Sequence, residues 1–297
     1  MVVHSTINAT WIYIGIMFIG IAFLYQRYKT TYDTNDPFNE YNKIQQYLLT
    51  SSSLATSNKP IMWIHMPQNV NSKQWESFYS RNTNKLNTPY IGITIKSIIK
   101  QCGESFRICL IDDDTFSMLI PGWSIPMSLT SDPIKKNIRQ LGMFKLLDLY
   151  GGMIVPRSFI CHKDLISLYE HGISNKTPFF CEAWSKSHNA LLPTVQFMGG
   201  IKNTPELKTL IHNQELIISK DYTNESIFLD NSSLIANNLS CFTIIDGSKI
   251  GIKTTKNTPI LIDDLFSEQI ILFSQEKYGV WIPEQELAIR NKYSWFT

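Results

Sequence analysis

Residues 131–161 constrain this fold more than any other segment: a capped helix, a double glycine and a buried strand follow one another without interruption. Ser131 or Asp132 can accept hydrogen bonds from the free amides of a helix start, and Pro133 suits the first helical position. Ile134, Ile138, Leu141, Met143, Leu146, Leu147 and Tyr150 follow three-four spacing and predict one apolar stripe. Gly151 or Gly152 can take the left-handed conformation that ends a helix. Residues 153–155 and 159–161 are apolar on both sides of a break, as in a strand covered on both faces. Pro156 withholds a backbone donor, so pairing should bulge or end there.

Beyond this segment, strand-like and helical runs alternate at 61–65, 91–99, 107–111, 133–150, 153–161, 178–181, 195–198 and 205–218. Such alternation predicts an α/β sheet covered by helices. Residues 242–245 and 279–282 read as short strands in a loop-rich last third. With 297 residues, 43% of them apolar, the chain can bury a full core. Residues 59–297 are expected to form one domain, in which Trp63 belongs to the core.

The amino terminus reads differently. After a 1–10 tail, Trp11 to Tyr25 carries no charge and predicts one short transmembrane helix, with Trp11, Tyr13, Tyr25 and Tyr28 as interfacial aromatics. No Lys or Arg precedes the span, while Arg27 and Lys29 follow it. The positive-inside rule then places the large domain on the cytoplasmic side, in a reducing compartment. Sequons at Asn8, Asn175, Asn224, Asn231 and Asn238 point the other way, to a lumen. Residues 26–58 read as a stalk whose end, 50–58, has the polar composition of a flexible linker.

Several classes are disfavoured by composition. Net charge is +2, charged residues make up 18% of the chain, and no basic block stands out, so nucleic acid is not implied as a partner. The five cysteines (102, 109, 161, 181 and 241) show no Cys-x-x-Cys spacing, and their odd number argues against a complete disulfide framework. Cys109 and Cys161 sit in apolar strands and read as packed thiols. His4, His162, His171, His188 and His212 have no metal-ligand spacing. Gly-x-Ser-x-Gly, Walker and Gly-x-Gly-x-x-Gly motifs are all missing. Gly199-Gly200 reads as a tight turn.

The helix, Tyr150-Gly151-Gly152 and the apolar run after it resemble sugar transferases of the Gly-Gly-hydrophobic-Asp-x-Asp type, including the capsular-polysaccharide-synthesis branch. Other pieces fall in that family's order. Residues 59–65 look like the opening strand, 88–99 the first helix and 106–112 the second strand. Residues 196–205 look like a later strand-turn-helix unit, and Ser294-Trp295 like the closing Ser-Trp. The resemblance spans 59–297 and implies a three-layer nucleotide-diphospho-sugar transferase (GT-A-like) domain. Residues 86–99 also resemble uncharacterised proteins of large amoeba-infecting DNA viruses.

The departures decide what to expect of activity. The family's Ser-Asp falls on Arg139-Gln140, its arginine on Met143, and its acidic triplet on Pro156-Arg157-Ser158. Those family carboxylates hold a divalent cation, which needs hard oxygen ligands. Proline and arginine supply none. Two readings follow: Arg157 replaces the metal as a diphosphate clamp, or the site has decayed and Arg157 meets solvent or a carboxylate. The resulting expectation is a membrane-anchored, glycosyltransferase-like protein without metal-dependent catalysis and without a cofactor, used as a sugar-nucleotide sensor or a membrane or particle component. The alternative is an active transferase in which Arg157 or Asp112–Asp114 replaces the metal motif; only then would Mn²⁺ or Mg²⁺ be involved. Weak catalytic candidates are Asp112, Asp114 and Arg157. Candidate nucleotide-sugar contacts are His65, Arg139, Gly151, Gly152 and Arg157. No metal ligand is assigned, and the expected partners are the lipid bilayer and a nucleotide sugar.

Overall fold

A computed structural model of the chain describes residues 59–66, 91–131, 134–185, 190–220, 242–254, 256–260 and 277–282. The expected span at Trp11 to Tyr25, the stalk and Ser294-Trp295 lie outside the described residues. Among the described residues, no helix is long and apolar enough to cross a membrane.

The elements run β1 (Ile61–His65), α1 (Ile91–Cys102), β2 (Arg107–Ile111), α2 (Thr115–Leu119), a 3₁₀ turn (Met127–Leu129), α3 (Ile134–Tyr150), β3 (Gly152–Ile154) and β4 (Phe159–Cys161). They continue with α4 (Ile166–Gly172), β5 (Phe179–Ser185), β6 (Ala190–Gly200), α5 (Pro205–Ser219), β7 (Thr243–Ile245) and β8 (Gly279–Trp281). The fold is α/β, built on a mixed six-stranded sheet of order β2-β1-β3-β6-β5-β7. Only β6 runs against the other five strands.

Period-two alternation divides the sheet into two apolar faces. Met62, Ile64, Leu110, Met153 and Val155 share one face with Ile91, Ile95, Ile98 and Cys102 of α1 and with Leu168 and Tyr169 of α4. Ile61, Trp63, Cys109, Ile111 and Ile154 share the other with Ile138, Phe144, Leu146 and Leu147 of α3 and with Leu207 and Leu210 of α5. Helices thus cover both sheet faces, which is consistent with three layers. The expected central position of residues 153–155 holds, since β3 lies between β1 and β6. Trp63 is fully buried, and its indole N–H donates to the Gly151 carbonyl at 2.9 Å.

Three sequence expectations need correction. Residues 153–161 are two strands rather than one: Pro156 ends β3, the chain turns through Arg157 and Ser158, and β4 pairs with β8 in a separate two-stranded sheet. The apolar stripe of α3 holds at Ile138, Leu141, Met143, Leu146 and Leu147, but not at Ile134, which is 37% exposed, and it gains the fully buried Phe144. At the helix start, Ser131 contributes its backbone carbonyl to the Lys135 amide at 3.0 Å, while Asp132 and Pro133 lie outside the described residues. Finally, Gly199-Gly200 is not a turn but the end of β6. A Cβ at Gly199 would sit 2.5 Å from the Phe179 ring, so this glycine makes room for an aromatic core residue.

Candidate functional site

In open α/β sheets, ligands bind beyond the carboxyl ends of the strands. Here three neighbouring strands end in charged or titratable residues: β1 in His65, β2 in the turn Asp112-Asp113-Asp114, and β3 in the turn bearing Arg157. The first turns of α3 start at the same edge and bring Lys135 and Arg139 to it.

Asp113 organises this cluster. Its Oδ1 and Oδ2 accept from Arg139 Nε and Nη2, both at 2.7 Å, a two-pronged guanidinium–carboxylate pair. His65 Nε2 lies 3.0 Å from Oδ1, and Lys135 Nζ lies 3.4 Å from Oδ2. Burial alone would raise the Asp113 carboxyl, but the Arg139 and His65 partners hold it well below the usual carboxylate range. The His65 ring stacks on Phe116, with centroids 5.7 Å apart and planes 8° apart. Burial holds the imidazole below its ordinary value, and the charges of Arg139 and Arg157 add to the depression, against the opposing pull of Asp113.

Arg157 does not meet solvent; the residue is only 8% exposed, and it is partnered within the protein. Its backbone carbonyl accepts from Thr94 Oγ1 of α1 at 2.6 Å. Of the decayed-site reading, the half in which Arg157 meets solvent is contradicted by its burial, while the half in which it pairs with a carboxylate is not. Its charge reaches His65 across the strand ends.

The other candidates separate from this cluster. Asp112 Oδ1 accepts from the Thr115 amide at 2.9 Å and hydroxyl at 2.5 Å, which secures the start of α2. Asp114 is exposed and makes no side-chain capping bond. Gly151 and Gly152 stand at the opposite end of β3. Since Met153 pairs with Met62, Gly152 is level with Ile61, roughly 13 Å along the strand from His65. Their roles are backbone ones, with φ of 72° and 103°. A groove between α3 and α5, lined among others by Lys145, Asp148, Lys208 and Glu215, also lies toward that end, and its Lys145–Glu215 pair at 2.7 Å is self-neutralising.

Sequence reasoning missed Asp113 and Lys135. The available signal was Lys135 and Arg139, two cations four residues apart on one helix face, a mildly unfavourable pair that a nearby anion relieves. Among the described residues, no three His, Cys, Asp or Glu side chains converge as a metal-binding group. Asp112 and Asp113, adjacent in sequence, are directed to different partners.

No protein-family model matches this chain, and no curated protein matches it. What the site can do therefore rests on its geometry. It holds a carboxylate engaged by Lys135 and Arg139, a buried arginine with its own partner inside the protein, and an imidazole held below its ordinary value, all at the carboxyl edge of the sheet.

The half-buried His65 makes a pH prediction. A depressed imidazole contributes its full stability above about pH 6.5, where the unfolded chain's imidazole is also neutral, and loses it as pH falls toward the folded value. The thermal midpoint of the wild type should therefore drop more between about pH 7.5 and about pH 5.5 than that of His65→Gln. Parallel decreases would assign the acid sensitivity to other groups.

Proposed function

We propose that this chain is a membrane-tethered, GT-A-like domain of the glycosyltransferase kind that binds a nucleotide diphosphate or nucleotide sugar through fixed cations, without metal-dependent transfer. The observation that carries the reading is the buried Arg157 at the end of β3, where the resembled family has its acidic triplet. The mixed sheet with helices on both faces and the ordered motif resemblance support it further. A guanidinium pairs with phosphate through charge-assisted hydrogen bonds, and Lys135 and Arg139 add positive potential next to it. Mn²⁺ has no part in this mode of binding. The role is that of a sensor or a component of a membrane or particle.

The same cations favour a second reading. Fixed positive charge can also stabilise a departing diphosphate, so an active transferase using Arg157 in place of a metal has the same static site.

Calorimetry on the full chain with inorganic pyrophosphate, nucleoside diphosphates and sugar nucleotides, with and without Mn²⁺, tests both. The expected result is diphosphate binding that is indifferent to Mn²⁺ and is weakened roughly 10–100-fold by Arg157→Ala, the range for one or two charge-assisted hydrogen bonds. Metal-independent donor hydrolysis lost in Arg157→Ala would establish the second reading. Binding that requires Mn²⁺, or donor hydrolysis abolished by Asp112→Ala or Asp114→Ala, would overturn the proposal.

A further inference from the structure

Cys102 closes α1 and Cys161 closes β4, and their sulfurs lie 3.6 Å apart in a hydrogen bond. Both residues are buried, at 0% and 4% exposure. The contact belongs to a longer seam. Thr94 donates to the Arg157 carbonyl at 2.6 Å, and the Cys161 amide donates to Ser97 Oγ at 2.9 Å. One face of α1 is thus joined through residues 94, 97 and 102 to the segment that leaves β3 and enters β4. The other buried thiols, Cys109 and Cys181, have no sulfur partner among the described residues.

A disulfide requires a sulfur separation of about 2.05 Å, so this pair must close by about 1.5 Å. Side-chain rotation at the last residue of a helix and the last residue of a strand can supply that movement. The two sulfurs are also unequal. The Cys161 thiol donates to the Lys163 carbonyl at 3.2 Å, which holds its one hydrogen on the backbone and leaves Cys102 as the sulfur placed to react first. Gly103 and Glu104, which follow it, are exposed.

We propose that Cys102 and Cys161 form a redox modification site: in an oxidising glutathione pool they join in a disulfide that clamps α1 to the Arg157-bearing segment. The Cys102 thiolate attacks one sulfur of glutathione disulfide, releasing one glutathione thiolate and leaving a mixed disulfide. Cys161 then gives up its proton to solvent and attacks the Cys102 sulfur, which releases the second glutathione. The protein loses two electrons and two protons, and glutathione disulfide gains the electrons as two thiols. Cys102 is itself buried, so the first exchange requires the end of α1 to open locally at the exposed Gly103-Glu104 turn.

The test is to equilibrate the full chain, in detergent micelles, with glutathione buffers of increasing oxidised fraction, trap free thiols with N-ethylmaleimide, and map peptides by mass spectrometry. The expected product is a single Cys102–Cys161 cross-link, about 2 Da lighter than the two thiols, with Cys109, Cys181 and Cys241 recovered as labelled thiols. The thermal midpoint should rise on oxidation by roughly 5–10 °C, because the bond closes a long loop of chain. Cys102→Ala should remove both changes, and Cys161→Ser serves if that variant does not accumulate. Full labelling of both thiols in the most oxidising buffer would overturn the proposal. So would glutathione adducts that never resolve to a cross-link, or cross-links scattered among all five cysteines. Nucleotide binding plays no part in these readouts, so this inference and the diphosphate reading fail separately.

Discussion

Gly152→Ala is expected to lose the native fold, through a destabilisation of about 4 kcal/mol or more, at the severe end for a single substitution. An added Cβ would stand 2.1 Å from the Ile61 carbonyl oxygen and 2.9 Å from its carbon. Both are backbone atoms of β1, a strand hydrogen-bonded on both sides by β2 and β3. No side-chain rotation can relieve the clash; the two strands must separate. The φ of 103° adds strain, since it lies outside the left-handed basin that other residues occasionally enter. Gly151→Ala makes a useful comparison. Its φ of 72° is closer to that basin, and its nearest contact is the Lys202 amide at 3.1 Å. It should cost only about 1–2 kcal/mol. Chemical denaturation of the two variants, or the soluble yield where Gly152→Ala cannot be purified, measures the contrast. A Gly152→Ala protein within about 1 kcal/mol of wild type would show that β3 does not pack against Ile61 as described.

Asp113→Asn should separate stability from ligand binding, moving them in opposite directions. The carboxylate engages Arg139 with both oxygens, and His65 and Lys135 share it. Its side chain is 16% exposed, so the charges around it are only partly screened. Removing the negative charge leaves two cations facing a neutral amide and weakens the tie between the β2 turn and α3. A loss of about 2–3 kcal/mol is expected, below the range for a fully buried pair because water reaches the site. Pyrophosphate binding should meanwhile tighten severalfold, because Lys135 and Arg139 are no longer neutralised beside Arg157. Denaturation and calorimetry on one preparation read both quantities. Weaker pyrophosphate binding with unchanged stability would mean that Asp113 does not hold the cluster together.

These two positions differ in how far local sequence could reveal them. Tyr150-Gly151-Gly152 after an apolar helix already marks a helix end and strand start, because chain reversal at that point requires positive φ and glycine supplies it. The strand cores at 61–65 and 107–111 and the helix at 205–219 were legible for the same reason. Alternation and three-four spacing are properties of neighbouring residues, and burial on one or two faces imposes them directly. The division of residues 153–161 between two sheets was half legible. Pro156 announced an end to pairing, but the partner of β4 lies in β8, more than a hundred residues away, and no local pattern names it.

The site is the reverse case. Three consecutive aspartates look alike in sequence, and reasoning from Asp-x-Asp spacing favours the outer two. Tertiary structure assigns them separate tasks: Asp112 turns back to Thr115, Asp113 faces Arg139 across 26 positions of chain, and Asp114 faces water. Arg157 shows the same dependence. The order of residues already puts an arginine directly after the Pro156 that ends β3. Its burial is a property of the packed chain, in which the turn carrying it is tied through its backbone carbonyl to Thr94 of α1, 63 positions earlier. Backbone periodicity is decided by adjacent residues, so it survives in the one-dimensional record. The partner of a charge is decided by which distant elements pack together, and only the folded chain contains that distance.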